Sequence, residues 1–381
     1  MRKLILVFLI LFAVFFCSTG LYADESKATD SELKSSLFKD PVNPEVNLKL
    51  GRLYYDEKLY DEARDYFENV IALSPGSPQA TEAQAYLDKI KKMYGPKPWF
   101  VNVSGGIQYD SNVLLVTDNS FLPSNVSRKD DWKEVLYFSG GYSFVKTDKL
   151  EAMARLGFYQ SINNRLKDYN ITQSLFELSV RYIASDFVKL EGKYGFEYVL
   201  VGGDRFDYDH YFSPSVVLME GKDTFTALEY RYKYTKFIDG ANFLTNSERT
   251  GGNHLIGLKQ RLPLFDKMSL ELGYAYDKDF ADTDNWKYDG NKGFASLDVL
   301  LPLNLMANVY AEYYRKDYNG RFEGSSVNRS DNAQTYSGSL TEVLSKNLSL
   351  SLAESYTKNN SNTEAYSYDR NITSLFLNVR F

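Results

Sequence analysis

The sequence predicts a mainly β protein, an antiparallel transmembrane β-barrel of about fourteen strands preceded by a small α-helical domain. Three observations predict it. From Trp99 onward, apolar and polar residues alternate with the period of two that strand side chains follow. The alternating stretches are separated by short turns and longer polar segments in regular succession. The chain ends on such a stretch, with Thr373, Leu375, Leu377, Val379 and Phe381 on one face and Ser374, Phe376, Asn378 and Arg380 on the other.

Taken in order, residues 1–23 read as an export signal. Arg2 and Lys3 lead an apolar run from Leu4 to Phe16, and Leu21-Tyr22-Ala23 ends on a small residue suited to cleavage. The run is shorter than the roughly 20 residues a helical span needs. Cys17 offers a site for lipid attachment, although Val14-Phe15-Phe16 places bulky side chains before it. Cleavage after Ala23 would discard that cysteine, the sole one in the sequence, and leave no disulfide and no thiolate. Residues 24–42 form an acidic linker.

Residues 43–94 carry helical periodicity. Leu50, Gly51, Tyr54, Ala63, Phe67, Val70 and Pro75 stand at the spacing of one tetratricopeptide repeat of roughly 34 residues. Gly51 and Ala63 allow two antiparallel helices to approach, Tyr54, Phe67 and Val70 fill the seam, and Lys58-Leu59 makes the turn. Ser77-Pro78 reads as the cap and first position of a third helix with an apolar stripe at Ala80, Ala83, Tyr86, Leu87 and Ile90. Tyr54 and Tyr55 are the candidate client groove of this unit, since repeat helices bind extended segments on a concave face. Residues 95–98, Gly-Pro-Lys-Pro, stiffen the exit into the barrel, residues 99–381.

Within the barrel the alternation is clearest in Val188 to Leu200 and in Leu228 to Tyr234. Tight connections are expected at Thr147-Asp148-Lys149, Ser185-Asp186, Gly221-Lys222-Asp223, Phe265-Asp266-Lys267, Pro302-Leu303-Asn304 and Ser345-Lys346-Asn347. Long ones are expected near 110–131, 240–252, 279–288, 317–330 and 358–367, in strict alternation with the tight ones. Short periplasmic turns and longer outer loops are the pattern of bacterial barrels. An even strand number then puts the helical domain and Phe381 on the periplasmic side, Trp99 in the inner aromatic girdle, and Trp132 and Trp286 near the outer one.

No catalytic constellation, cofactor motif or metal spacing is present, so the chain reads as a non-enzyme without cofactors. His210 and His254 share parity with apolar neighbours and read as girdle or loop residues. Asp110-Ser-Asn112 and Asp282-Thr-Asp284-Asn285 read as turn chemistry in preference to weak calcium sites. A net charge of -6 argues against nucleic acid, which needs a basic field. The lumen-facing charges by parity are Glu151, Arg155, Glu177, Arg181, Lys189, Glu191, Lys193, Glu197, Glu229, Arg231, Lys233, Lys259 and Arg261, joined by Glu271, Asp298, Glu312 and Arg380. Both signs interleave, which suits cross-strand ion pairs along a wet lumen better than a ring selective for one sign.

Two families resemble this arrangement. The terminal aromatic and its alternating neighbours Leu375, Leu377 and Val379 resemble the closing strand of bacterial outer-membrane barrels, which implies recognition by the barrel assembly machinery. Signal, repeat helices and terminal barrel together, with Tyr109-Asp110-Ser111-Asn112-Val113 after the first strand, look like the surface lipoprotein assembly modifier family. That family's repeat domain is usually longer. Exopolysaccharide export porins also join periplasmic repeats to a barrel, with more repeats and typically sixteen strands. These resemblances imply an outer-membrane conduit or assembly factor for a periplasmic protein or lipoprotein client. The alternatives are a polysaccharide conduit and a barrel that only anchors a docking repeat in outer-membrane lipid.

Overall fold

Strands of 12 to 18 residues, each hydrogen-bonded to two neighbours, leave no free sheet edge in the barrel. The computed structural model describes residues 33, 37, 43–93, 97–117, 126–221, 223–322 and 325–381. The export signal, nearly all of the acidic linker and linker residues 95–96 lie outside them. Two compact units divide between Lys97 and Pro98.

The first unit has three helices, α1 (Pro44–Asp56), α2 (Tyr60–Leu73) and α3 (Pro78–Met93). Asn43 starts α1, its side-chain oxygen accepting the N–H groups of Glu45 at 3.0 Å and Val46 at 3.2 Å, with Pro44 at the first helical position. Lys58 takes a positive φ of 64° between α1 and α2. Ser77 accepts the Ala80 N–H at 3.0 Å and opens α3 before Pro78. The seam explains the small residues: a Cβ on Gly51 would stand 2.6 Å from the Phe67 ring. Leu50, Ala63, Phe67 and Val70 are fully buried, and Phe67 stacks on Tyr86 at 4.9 Å. Burying a ring of this kind contributes roughly 1.5–3 kcal/mol.

The second unit is a closed antiparallel barrel whose fourteen strands pair in chain order. They are β1 (Trp99–Asp110), β2 (Asp131–Lys146), β3 (Leu150–Asn163), β4 (Ile171–Ile183), β5 (Val188–Val201), β6 (Asp204–Gly221) and β7 (Thr224–Phe237). The ring continues through β8 (Gly251–Phe265), β9 (Met268–Ala281), β10 (Tyr288–Leu301), β11 (Leu305–Tyr318), β12 (Ser330–Ser345), β13 (Leu348–Ser361) and β14 (Tyr368–Arg380). It closes where β1 pairs with β14, from Asn102 opposite Arg380 to Asp110 opposite Ile372.

One end of the barrel, the turn end, carries all six tight connections the sequence predicts. The opposite, loop end departs from strict alternation. There β5 and β6 join through Gly202-Gly203 alone, at φ 63° and 94°. Only glycine takes these values without strain, and a Cβ on Gly202 would meet the Asp168 carbonyl oxygen at 2.5 Å.

Strand parity sorts the side chains. Outward positions hold Leu156, Leu228, Ile256, Leu258 and Val309, each at least half exposed. A closed barrel satisfies its backbone internally, and an apolar exterior of this extent calls for a lipid surround. Trp99 and Trp132 face outward, with Trp132 against Tyr109 at 5.2 Å. Trp286 does not join them. It packs among loop residues, edge-on to Phe322 at 5.1 Å and to Tyr366 at 6.1 Å, because its loop folds over the barrel end.

Candidate functional site in the barrel lumen

The charged inward positions concentrate on β3 to β11. On β3 and β4, Glu151 accepts the Ser143 hydroxyl at 3.1 Å, and Arg181 pairs with both Glu151 and Glu191, at 3.2 and 2.7 Å. Arg155 donates to the Tyr137 hydroxyl at 3.1 Å, and Tyr211 donates to Glu177 at 2.6 Å. Further round, Lys233 pairs with Asp209 at 3.2 Å, Ser213 donates to Glu229 at 2.7 Å, and Arg261 pairs with Asp298 at 3.3 Å. The wall formed by β12 to β14 is hydroxyl-rich: Thr335 meets Thr357 at 3.2 Å, Thr341 meets Ser351 at 2.9 Å, and Asn378 reaches Ser351 at 2.9 Å. One side of the lumen is thus charged along its length, and the other is mostly neutral and polar between Asp331 and Arg370 at its loop end and Arg380 at its turn end.

Some of these residues line an open cavity of about 1140 Å³. Arg181, Lys189, Glu191, Lys193, Glu229, Arg231, Lys259 and Arg261 line it, and it extends to the turn-end residues Asp223, Phe265, Asp266 and Lys267. A smaller cavity of about 300 Å³ lies among Glu177, Glu197, Asp209, Tyr211 and Lys233, sharing Lys193, Glu229 and Arg231 with the first. The aromatic side chains turned toward the larger cavity are Phe225, Phe265 and Phe294. Several lumen tyrosines point their hydroxyls into carboxylates: besides Tyr211, Tyr310 donates to Glu312 at 2.6 Å, and Tyr314 and Tyr288 donate to Asp277 at 2.9 and 3.0 Å.

Toward the loop end the barrel is filled by side chains that sequence reasoning passed over. Arg329 makes a two-toothed ion pair with Asp331, and both are 7% exposed. Its guanidinium lies 3.4 Å from the Tyr366 ring centre, 4.3 Å from Tyr318, 5.3 Å from Phe322 and 5.7 Å from Trp286. Arg249 packs over Phe237 at 4.3 Å and over Trp286 at 5.2 Å. Burial lowers the Arg249 pKa from its ordinary value, while the charge of Asp207 opposes that. A guanidinium stays charged throughout the physiological range, so the two arginines act as fixed cations clamped between rings. Backbone bonds tie the loops together, Asp282 N–H to Thr250, Asn319 N–H to Lys287 and Asn362 N–H to Ser330. Extending the lumen parity of Glu271 along β9 reaches Asp277, and this was the available signal. Arg249 and Arg329 sit in loops, where parity says nothing.

The segment Tyr109 to Val113 works at the closing seam. Asp110 is fully buried and receives Arg370 at 2.6 Å and Lys133 at 3.0 Å. Asn112 accepts the Val116 N–H at 3.1 Å and donates to the Asp369 carbonyl at 2.9 Å. With two cations on its carboxylate, Asp110 serves ion pairing, and no group of three metal-ligating side chains occurs among the described residues. His210 and His254 face outward, held by the hydroxyls of Tyr194 at 2.8 Å and Tyr230 at 2.7 Å.

The remaining expected sites lie at the two chain ends. Leu375, Leu377 and Phe381 are exposed on the outer face, and Phe381 exchanges backbone bonds with Val101 at 2.9 and 3.3 Å. Val379 shares their parity opposite Val103. In the helical unit, Tyr54 stacks on Tyr66 at 5.4 Å and Tyr55 meets Tyr86 edge-on at 4.9 Å, so both rings take part in that unit's own packing. Pro75 is exposed between α2 and α3.

No known protein family matches this sequence, and no curated protein does. Among solved structures, the outer membrane channel DcaP of Acinetobacter baumannii is similar at 9% identity and a TM-score of 0.45, over 74% of this chain and 96% of that one. A loop-deletion mutant of OmpT, an outer membrane protein of Vibrio cholerae, is similar at 7% identity and 0.43, over 75% and 100%. A bacterial polysaccharide outer membrane secretin is similar at 9% and 0.40, over 74% and 98%. These likenesses assign this chain no cargo.

Proposed function

We propose that the chain is a bacterial outer-membrane barrel acting as a conduit for a charged, extended client, a peptide segment of an exported protein or lipoprotein, which enters at the turn end. The observation that carries this reading is the cavity of about 1140 Å³, lined by side chains of both signs and extending to the turn residues. A peptide presents both signs and many backbone donors and acceptors, which such a wall can pair in succession. A sugar polymer is better served by a run of open aromatic faces, and Tyr211, Tyr288, Tyr310 and Tyr314 in this lumen are committed to carboxylates. The Arg249 and Arg329 cluster supports a conduit that rests closed at its loop end.

In the same proposal, the helical unit is a single tetratricopeptide-type repeat with a capping helix, and the exposed parts of Tyr54 and Tyr55 contact the client. The Gly51–Phe67 contact supports the repeat reading. The short turns mark the periplasmic side, the outward belt meets the lipid, and the face of Leu375, Leu377, Val379 and Phe381 is what the assembly machinery reads.

Planar-bilayer recording of the full chain tests the conduit. The intact protein should conduct rarely, and a variant with Arg249→Ala and Arg329→Ala should conduct persistently. A peptide carrying both signs, added on the turn side, should block that current, while a neutral maltodextrin should not. Block by maltodextrin alone would move the reading to polysaccharide. Absence of current from a folded double variant would leave the barrel as an anchor for its helical unit.

A further inference from the structure

We propose that loop residues 282–287, with Trp286 at their centre, are the keystone of a loop-end lid, so that loops 238–250, 319–329 and 362–367 open and close as one piece. The Trp286 ring meets all three. Arg249 of loop 238–250 lies 5.2 Å from its centre, and Arg329 of loop 319–329 lies 5.7 Å from it. Phe322 and Tyr366 stand edge-on to it at 5.1 and 6.1 Å. An aromatic face attracts a guanidinium and edge-on rings attract one another, so removing the indole loosens all of these contacts together.

The backbone repeats the arrangement. On one side, the Asp282 N–H donates to the Thr250 carbonyl at 2.6 Å, and the Thr283 hydroxyl donates to the Glu248 carbonyl at 3.2 Å. On the other, the Asn319 N–H donates to the Lys287 carbonyl at 2.9 Å, and a Cβ on Gly320 would run into the backbone of Asp284 and Asn285. Loop 362–367 joins through Asn362, whose side chain donates to the Asn328 carbonyl at 2.8 Å. Among the described residues, loop 238–250 has no hydrogen bond, ion pair or ring contact with 319–329 or 362–367. Its connection to them runs through 282–287. A short loop tied on both sides carries a displacement across instead of absorbing it.

This deepens the conduit reading by giving the closed loop end a single moving part, and rests on it only for what the lid controls. Hydrogen–deuterium exchange of the full chain in detergent micelles tests it. The reporters are the Tyr366 and Ser367 N–H groups, each bonded at 2.9 Å within loop 362–367, to Thr363 and Glu364. Arg249→Ala removes no contact made by that loop, yet it should quicken exchange there about tenfold, because a lid in one piece exposes all of its amides when it opens. Trp286→Leu alone should quicken the reporters at least as much, and adding Arg249→Ala to it should change them no further. The Thr147 N–H, bonded to Leu150 at 2.8 Å at the turn end, should keep its rate throughout. Retained heat-modifiable migration shows that a variant is folded. Should Trp286→Leu not fold, Gly320→Ala parts 319–329 from 282–287 by another route and should act on the reporters in the same way. Unchanged exchange at Tyr366 and Ser367 in folded Arg249→Ala, or an equal effect of Arg249→Ala with and without Trp286, overturns the keystone. Quickening that reaches Thr147 means that the whole barrel loosens, and overturns it too. Uncoupled loops on a barrel that conducts once Arg249 and Arg329 are removed retain the conduit and lose the keystone. Coupled loops on a barrel that never conducts retain the keystone and lose the conduit.

Discussion

Single residues close the barrel and hold its loops. Asp110 gathers Arg370 and Lys133 across a seam joining residues 260 apart in the chain, and it is fully buried there while Lys133 is 8% exposed. Replacing one member of a buried ion pair leaves the other charged and unpaired, so Asp110→Asn should cost about 3 kcal/mol. Urea unfolding from vesicles should show the loss, and adding Arg370→Met should cost less than the sum of the two single changes, since both act on one contact. Asp239 offers a pH test. Its carboxylate accepts the Ser247 N–H at 2.7 Å and its hydroxyl at 2.9 Å, and these bonds hold its pKa below the usual value. A lowered folded-state pKa gives stability that is present above the unfolded value of about 3.9 and lost as pH falls through the folded one. Loop 238–250 should therefore resist acid-active protease equally from neutrality to about pH 5 and open below about pH 4. An Asp239→Asn chain that keeps the same acid profile would refute the assignment.

At the scale of strands and turns, the period-two alternation in the sequence made the barrel legible, along with its fourteen strands and all six tight connections, because lumen and exterior impose opposite chemistries on neighbouring residues. The Gly202-Gly203 hairpin was not legible, since two glycines inside an alternating run read as strand interior until pairing shows the chain reversing. Gly202→Ala would push a Cβ into the Asp168 carbonyl and force a positive φ on alanine, so folding into vesicles should slow and stability should drop by about 1–2 kcal/mol. The matching change at Gly192, where a Cβ meets open space, should be nearly silent. The buried polar network at the loop end was hidden for a different reason. Asp110 and Lys133 look like loop-edge charges until the ring closes, and Arg329 finds its four rings on three separate segments. The closing strand supplies a further test. Phe381 makes the last backbone pair with Val101, so deleting it removes two seam bonds together with the exposed terminal ring. Pulse-chase of cells expressing the shortened chain should show periplasmic degradation. Accumulation of normal heat-modifiable barrel in membranes would show that β14 closes the ring without it.

For the whole molecule, the two ends differ enough to fix an orientation that can be measured. The turn end has six connections of two to four residues, whereas the loop end carries longer segments such as 238–250 and 319–329, pinned by arginine and aromatic side chains. Barrels insert with short turns on the side from which they are assembled, because long polar loops must be carried across once and short turns need not cross at all. The loop end should then face the cell exterior. Leu244, 76% exposed in loop 238–250, and Asp266, in the β8–β9 turn, are suitable reporters. The sole cysteine in the sequence is Cys17, so a Leu244→Cys or Asp266→Cys chain that also carries Cys17→Ser has one thiol. A membrane-impermeant maleimide applied to intact cells should label Leu244→Cys, and it should label Asp266→Cys only after the outer membrane is opened. The reverse pattern would invert the barrel and place the turn-side cavity at the cell surface, making the lumen a receptor for external solute. Labelling of both in intact cells would show that the barrel does not separate two compartments, and the conduit reading would fall with its membrane setting.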